Sequence, residues 1–393
     1  MSASYSWRSL AEKELKGKEF NDFLVWNNID GITLQSWQDT LPNTLPQPPL
    51  RTTPWKILEC ITETDAQSAN KDALNALMQG AEAIWFDKGY LGAAKEVVTK
   101  GIDQSIAPVF VRGENAVDIY ANLFRSGESP NTETEGALLL DGRHIRERGG
   151  SPVQEVAVLL AQFIEVAQNN DHLEQVIIRT CNGSSFLTEL SKLRALRWLL
   201  DSAMKHMEKS IQVTFISTNL SMINARNDEH TNILRCTTAG LAGAIGGADF
   251  VMINAWDSSW NADLNFSRRI TRNIQLLLKE EGRFDKNLNP VDGAYFIEHL
   301  TEQIARQAWK QVQSIEGAGG FTTYTTSGAL YQEIETKRNE LLTLFTKDKA
   351  VLLGINRFQP DTVESEVSTE KSQYKYLPPL LNLPFELQNA VNV

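Results

Sequence analysis

The chain has 393 residues, 42% hydrophobic and 22% charged, enough to bury a large core and typical of a globular protein. Its net charge of −11 argues against a nucleic-acid surface, which needs clustered Lys and Arg to meet phosphates. No run of about 18 residues is apolar enough to span a bilayer. The opening M-S-A-S-Y-S-W-R lacks the apolar centre of a signal peptide. Cys60, Cys181 and Cys236 are odd in number and far apart, so reduced thiols and a cytoplasmic location are expected. The five histidines show no metal-ligand spacing, and no metal site is expected.

Residues 1–54 read as an arm. A helix is expected over Ser6 to Leu24, with Trp7, Leu10 and Leu15 apolar, followed by a Pro-rich connector from Leu41 to Pro54. Trp7, Trp26 and Trp37 must cover something, either a partner or the chain's own domain. From Trp55, strands alternate with helices. Strands are expected at 55–61, 83–87, 107–112, 137–141, 176–179, 213–217 and 250–255, with a weaker eighth near 286–288. The intervening helices fall at 65–79, 93–100, 115–124, 153–168 and 185–207. A last helix is expected over 327–347 and a polar linker over 359–375. Units of this length suit a closed parallel barrel, although a doubly wound sheet would give a similar pattern.

The most informative stretch runs from Asn227 to Glu281. Asp228 is a candidate N-cap for a helix whose apolar stripe is Ile233, Leu234, Thr237, Leu241 and Ala244. Gly246-Gly247 ends that helix, Phe250 to Ala255 is a short apolar strand, and Phe266 to Glu281 is amphipathic. The order of motifs here resembles the substrate-binding barrel of the methylmalonyl-CoA mutase family. The resemblance rests on Asp228 to Arg235 with Asn232, on Gly246 to Asp249 leading to Asp257, and on Arg269-Ile270-Thr271-Arg272-Asn273-Ile274-Gln275. It continues in N-P-V-D-G-A-Y-F-I-E at 289–298, Trp309, I-E-G-A-G-G at 315–320 and V-L-L-G-I-N-R-F at 351–358.

The resemblance implies a (β/α)8 TIM barrel over 55–325, an N-terminal arm over 1–54, and a C-terminal helix and tail over 326–393 without a cobalamin-binding domain. It also implies where catalytic residues should stand, and they are missing. The first-strand arginine and tyrosine positions hold Leu58 and Cys60, and the sixth predicted strand carries Ile216 at the histidine position. Leucine and isoleucine cannot polarise a carbonyl or grip a carboxylate. The nearest approach to a cobalt-ligating D-x-H-x-x-G is D-G-R-H-I-R-E-R-G-G at 141–150, where the spacing is wrong, so His144 reads as a loop histidine among solvated charges. Cys60 lies in an apolar strand without a neighbouring His and reads as core. Trp55, Trp85 and Trp309 read as core or interface.

What remains is a candidate substrate-binding set. Arg269, Arg272, Asn273 and Gln275 stand on the helix that the resemblance puts near the CoA end; they could meet phosphates or form a charged helix face. Asn254 and Asp257 stand at a strand's C-terminal end, where they could serve a ligand or fasten a loop. The expectation is therefore a non-catalytic small subunit paired with the catalytic large subunit of a heterodimeric mutase. Adenosylcobalamin would sit in that partner and none in this chain. Two alternatives are a mutase barrel working with a separate cobalamin-binding polypeptide, and an acyl-CoA-binding or chaperone module.

Overall fold

The computed structural model describes residues 3–42, 51–90, 93–132, 136–360 and 374–391. Eight parallel strands form the barrel: β1 (Lys56–Ile61), β2 (Ala83–Phe86), β3 (Val109–Val111), β4 (Ala116–Asp118), β5 (Ala137–Asp141), β6 (Gln175–Asn182), β7 (Gln212–Asn219) and β8 (Phe250–Met252). Their order is β3-β2-β1-β8-β7-β6-β5-β4. A single parallel bridge, Arg112 to Ala116, joins the two ends, so the barrel is nearly closed. Around it lie α1 (Ala66–Met78), α2 (Ala93–Thr99), α3 (Ala121–Ser126), α4 (Pro152–Asn169), α5 (Phe186–His206), α6 (Glu229–Gly246) and α7 (Asn265–Leu276). The long α8 (Tyr295–Gly317) adds a second layer over α4 and α5, so α4 is buried on nearly every side.

Two expectations about the strands are corrected. The helix expected over 115–124 starts only at Ala121, because Ala116–Asp118 is strand β4. No helix separates β3 from β4. Asn115 closes the turn instead, accepting from Val111 N at 2.6 Å and donating to Val109 O at 2.7 Å. The eighth strand expected near 286–288 is absent. Phe284–Lys286 is a 3-10 turn entered through Arg283 at φ 55°, and β8 pairs directly with β1, leaving no edge to join. Ile216 accordingly stands on the seventh strand of the barrel.

Local signals place the helices well. The Asp65 side chain accepts from Ser68 N and that of Asp228 from Thr231 N, each capping a helix start. Gly247 ends α6 at φ 103°, a left-handed conformation that favours glycine. The stripe expected on α6 is partly displaced, since Leu234 faces solvent. Small residues face the sheet instead. A Cβ on Gly243 would lie 2.3 Å from Ser217 Oγ on β7, and one on Gly240 would lie 2.5 Å from Ile253 Cδ1. The substitution Gly243→Ala is expected to push α6 off β7 and cost about 1–3 kcal/mol. An unchanged midpoint in urea would show that α6 can retreat freely.

The arm lies on the chain's own barrel. An antiparallel hairpin pairs Val25–Asn27 with Thr33–Gln35. Ile32 and Leu34 enter the main core with Leu159, Phe163 and Leu300. Trp26 meets Phe296 edge-on at 5.6 Å, and His299 Nε2 lies 2.9 Å from Thr40 O. Leu10, Phe23, Trp37 and Leu41 stay exposed on the arm's outer side. The helix expected over Ser6 to Leu24 is two, Ala3–Glu14 and Phe20–Leu24, parted by Lys16 and Gly17 at positive φ. Most of the Pro-rich connector, 43–50, and most of the linker, 361–373, lie outside the described residues. The helix expected over 327–347 is α9 (Ala329–Thr346). Beyond it, Leu381 N donates to Glu147 O, and Leu381, Leu383 and Leu387 cover Met222 and Ile223 at the C-terminal ends of the strands. Among the described residues no helix is long and apolar enough to cross a membrane.

Candidate functional site

The barrel axis is the place where an α/β barrel builds its site, at the C-terminal ends of the strands. Strand alternation aims Leu58 and Cys60 of β1 inward and Glu59 outward. Register then sets Cys60 beside Trp85 of β2, and Ile216 beside Phe250 and Arg179. All eight strands send apolar side chains inward: Leu58, Trp85, Phe110, Ala116, Leu139, Ile177, Ile216 and Met252. Trp85 and Ile216 are completely buried. These side chains fill the axis as a core.

Above them sits a charged layer. Arg179, wholly buried, lies with its guanidinium 4.5 Å from the Trp85 ring centroid. Its Nε donates to Asp141 Oδ1 at 3.0 Å and its Nη2 to Asp141 Oδ2. Arg143 donates to the same carboxylate at 3.2–3.3 Å. Burial opposes the charge of Asp141, but Arg143 and Arg179 outweigh it and hold the carboxyl well below its usual range. Burial likewise opposes Asp118, and His144 outweighs it, with Nε2 2.8 Å from Asp118 Oδ2. Here the reading of His144 is corrected: it is buried, in the short helix Arg143–Arg146, with Phe124 and Tyr374 against its ring. Arg112 stands 3.6 Å from Asp87 and 3.7 Å from Asp118. Burial and the neighbouring Asp87 push the Cys60 thiol up to about 12, which makes it a poor nucleophile at neutral pH.

Asp118, Asp141 and His144 offer ligand atoms within 4.8 Å of one another. They do not suit a divalent cation. Both oxygens of Asp141 already accept from arginines, and three guanidinium groups, of Arg112, Arg143 and Arg179, answer the three carboxylates of Asp87, Asp118 and Asp141. The layer is charge-balanced without a metal.

The candidate substrate-binding residues lie elsewhere. Arg272 is buried between α7 and the outer side of β1, donating to Glu59 at 2.9 Å and to Gln79 at 2.5 Å. Its neighbour Arg268 bridges Glu63 at 2.9 Å and Asp72 at 3.1 Å. Arg269 is exposed, 5.6 Å over the Phe266 ring. Arg269 and Arg272 line a cleft of about 360 Å³ between α1 and α7. Asn273 is exposed and Gln275 buried on the same helix. Asn254 donates from its backbone to Asn219 Oδ1 and from its side chain to Thr218 Oγ1. Asp257 accepts from Asn261 Nδ2 at 2.9 Å. The six residues therefore divide between an outer cleft, a helix flank and the loop after β8. Sequence reasoning did not find Arg179 and Asp141, and read Trp85 as core or interface. Inward alternation along β2 and β6 was the available signal, but only register brings these residues together.

Fold and axis define the class: an α/β barrel whose axis is filled with side chains. The sequence model for methylmalonyl-CoA mutase matches residues 110–377. The chain belongs to the methylmalonyl-CoA mutase family. It is 24% identical to the methylmalonyl-CoA mutase of Cereibacter sphaeroides over 454 residues, covering 90% of this chain and 64% of that protein. It is 33% identical to the methylmalonyl-CoA mutase small subunit of Porphyromonas gingivalis over 181 residues, 45% of this chain and 29% of the other. It is 25% identical to the methylmalonyl-CoA mutase large subunit of Streptomyces virginiae over 240 residues, 58% and 33% respectively. The chain thus spans less than two thirds of the length of each of these relatives.

Proposed function

We propose that this chain is the small, non-catalytic subunit of a heterodimeric, cobalamin-dependent methylmalonyl-CoA mutase. The observation that carries the reading is the filled axis. A thioester substrate threading the barrel would have to displace Trp85 together with the Arg179–Asp141 pair stacked on it. Parting Arg179 from Asp141 to clear the axis would leave a buried charge unanswered, a cost of about 3–5 kcal/mol before any contact to substrate is made. Leu58, Cys60 and Ile216 offer no group to hold a carboxylate or polarise a carbonyl. These residues do not fit the chemistry that adenosylcobalamin supports, so the radical 1,2-shift is assigned to the partner chain. The names of relatives, small subunit and large subunit, support a partnership of this kind.

Native mass spectrometry on the tagged chain from its own host tests this reading. A complex of about one to one with a longer chain, carrying corrinoid absorbance that is lost on separation, is expected. A lone 44.0 kDa species would overturn the reading, and corrinoid retained by the isolated chain would do so equally. The arm supplies the finer test. Ile32 and Leu34 belong to the core, so the informative change is on the exposed side: Leu10→Asp, Phe23→Asp and Leu41→Asp together. Partner affinity should fall by at least about tenfold with no change in the melting midpoint. Unchanged co-purification would remove the arm from the interface.

A further inference from the structure

Outside the barrel, where α8 covers α4 and α5, the three helices enclose a cavity of about 740 Å³. That size is in the range of small-molecule sites, about 300–1,000 Å³. Its wall is mainly apolar. Trp198, Leu199 and Met207 contribute from α5 and its end, and Trp309 and Val312 from α8. Trp309 is 43% exposed, so folding leaves a large aromatic face in water at this place. The polar groups on the wall are few, and their charges are not balanced. Glu316, exposed on the last turn of α8, is the carboxylate among them. Among the described residues it has no cation within ion-pair distance and no hydrogen-bond donor to its side chain.

The charge nearest to Glu316 has the same sign. It is Glu165 of α4, held by neutral donors: Thr322 N at 2.9 Å, Thr322 Oγ1 at 2.6 Å and the Tyr120 hydroxyl at 3.1 Å. Burial and Glu165 together push the Glu316 carboxyl up, as expected of a carboxylate that lacks a counter-charge. Arg306, the cation on the wall, is already answered by Glu302 at 2.8 Å. His206 makes no ion pair with Glu316. The backbone adds to the imbalance. Gln168, His206 and Glu316 stand on the last turns of α4, α5 and α8, so three helix C-termini, each with partial negative charge, end around the cavity. Trp309 precedes Glu316 by two helical turns, about 10 Å along α8. We propose that this cavity binds an organic cation with an apolar body, its ammonium group at Glu316 and its body along Trp309 and Trp198. The cavity is separate from the axis, and the assignment does not depend on the mutase-subunit reading.

The test uses the full chain, titrated with hexyltrimethylammonium, 1-hexanol and hexanoate at constant ionic strength. Calorimetry and tryptophan fluorescence report binding. The cation is expected to bind saturably, with a dissociation constant of about 1 mM or tighter. It should bind at least about threefold more tightly than hexanol, the scale of a part-exposed ion pair, and hexanoate should bind more weakly than hexanol. Glu316→Gln changes an exposed side chain, so it should melt as the wild type does while losing the preference for the cation. Trp309→Ala should weaken the cation and hexanol together. Equal binding of all three probes would reduce the site to an apolar groove and overturn the proposal. A preference for the cation that survives in Glu316→Gln would overturn it too. So would no binding of any probe, the result expected if a second copy or a partner chain fills the groove.

Discussion

Replacing Lys192 by Met is expected to destabilise the chain by about 3–5 kcal/mol, the cost of leaving a buried ionic network with one sign unanswered. Lys192 is completely buried on α5. Its Nζ meets Glu155 Oε2 at 2.6 Å and Glu189 Oε2 at 2.5 Å, and donates to Cys181 O at the end of β6. Arg146 joins the same pair of carboxylates. One residue thus ties α4, α5 and a barrel strand together from inside. The two carboxylates are not equivalent. Burial pushes Glu155 up despite Lys192 and Arg146. Burial acts on Glu189 too, but Lys192 and Arg146 outweigh it, helped by a bond from Gly183 N, and hold it low. Adding Glu155→Gln to the Lys192→Met variant removes the less comfortable charge. It should restore part of the loss, which urea unfolding of the single and double variants would measure. A single variant within about 1 kcal/mol of wild type would mean that water or relaxation answers the charge.

The second large effect is expected at the mouth of the axis. Asp141→Asn leaves Arg179, wholly buried, without its counter-charge, again a loss of about 3–5 kcal/mol at neutral pH. The pH dependence gives this prediction its sign. Asp141 titrates well below its unfolded value of about 3.9. Its contribution is therefore complete above that value and is lost as pH falls through the folded pKa. The gap between wild type and Asp141→Asn should stay constant from neutral pH down to about 5 and narrow only in stronger acid. A gap that closed near neutrality would show that Asp141 is not held low by its arginines. Trp85 provides an optical readout, since loss of the pair frees the guanidinium stacked on its indole.

Much of this molecule is written locally. The strand–helix alternation, the caps at Asp65 and Asp228 and the stop at Gly247 follow from propensity, side-chain chemistry and the φ that glycine permits. Leu58, Cys60 and Ile216, at the positions where the family resemblance leads one to expect catalytic groups, are likewise visible in the chain itself, and the structure adds that they face the axis. Other features depend on what each segment meets. Strand β4 has three residues, too few for a period, and exists because Asn115 closes a turn and β5 offers an edge. The absence of an eighth strand near 286–288 was decided by β8 pairing with β1. His144 reads as solvated by its charged neighbours in sequence, yet Asp118 and Tyr374 enclose it from distant parts of the chain. The arm's apolar residues had to be buried, but whether on this barrel or on another chain was settled for Ile32 and Leu34 only by the surface they meet. Local sequence determines how a segment folds and which face it offers. Register and packing, which join residues far apart in the chain, decide what that face touches, and so whether a barrel axis is open or filled.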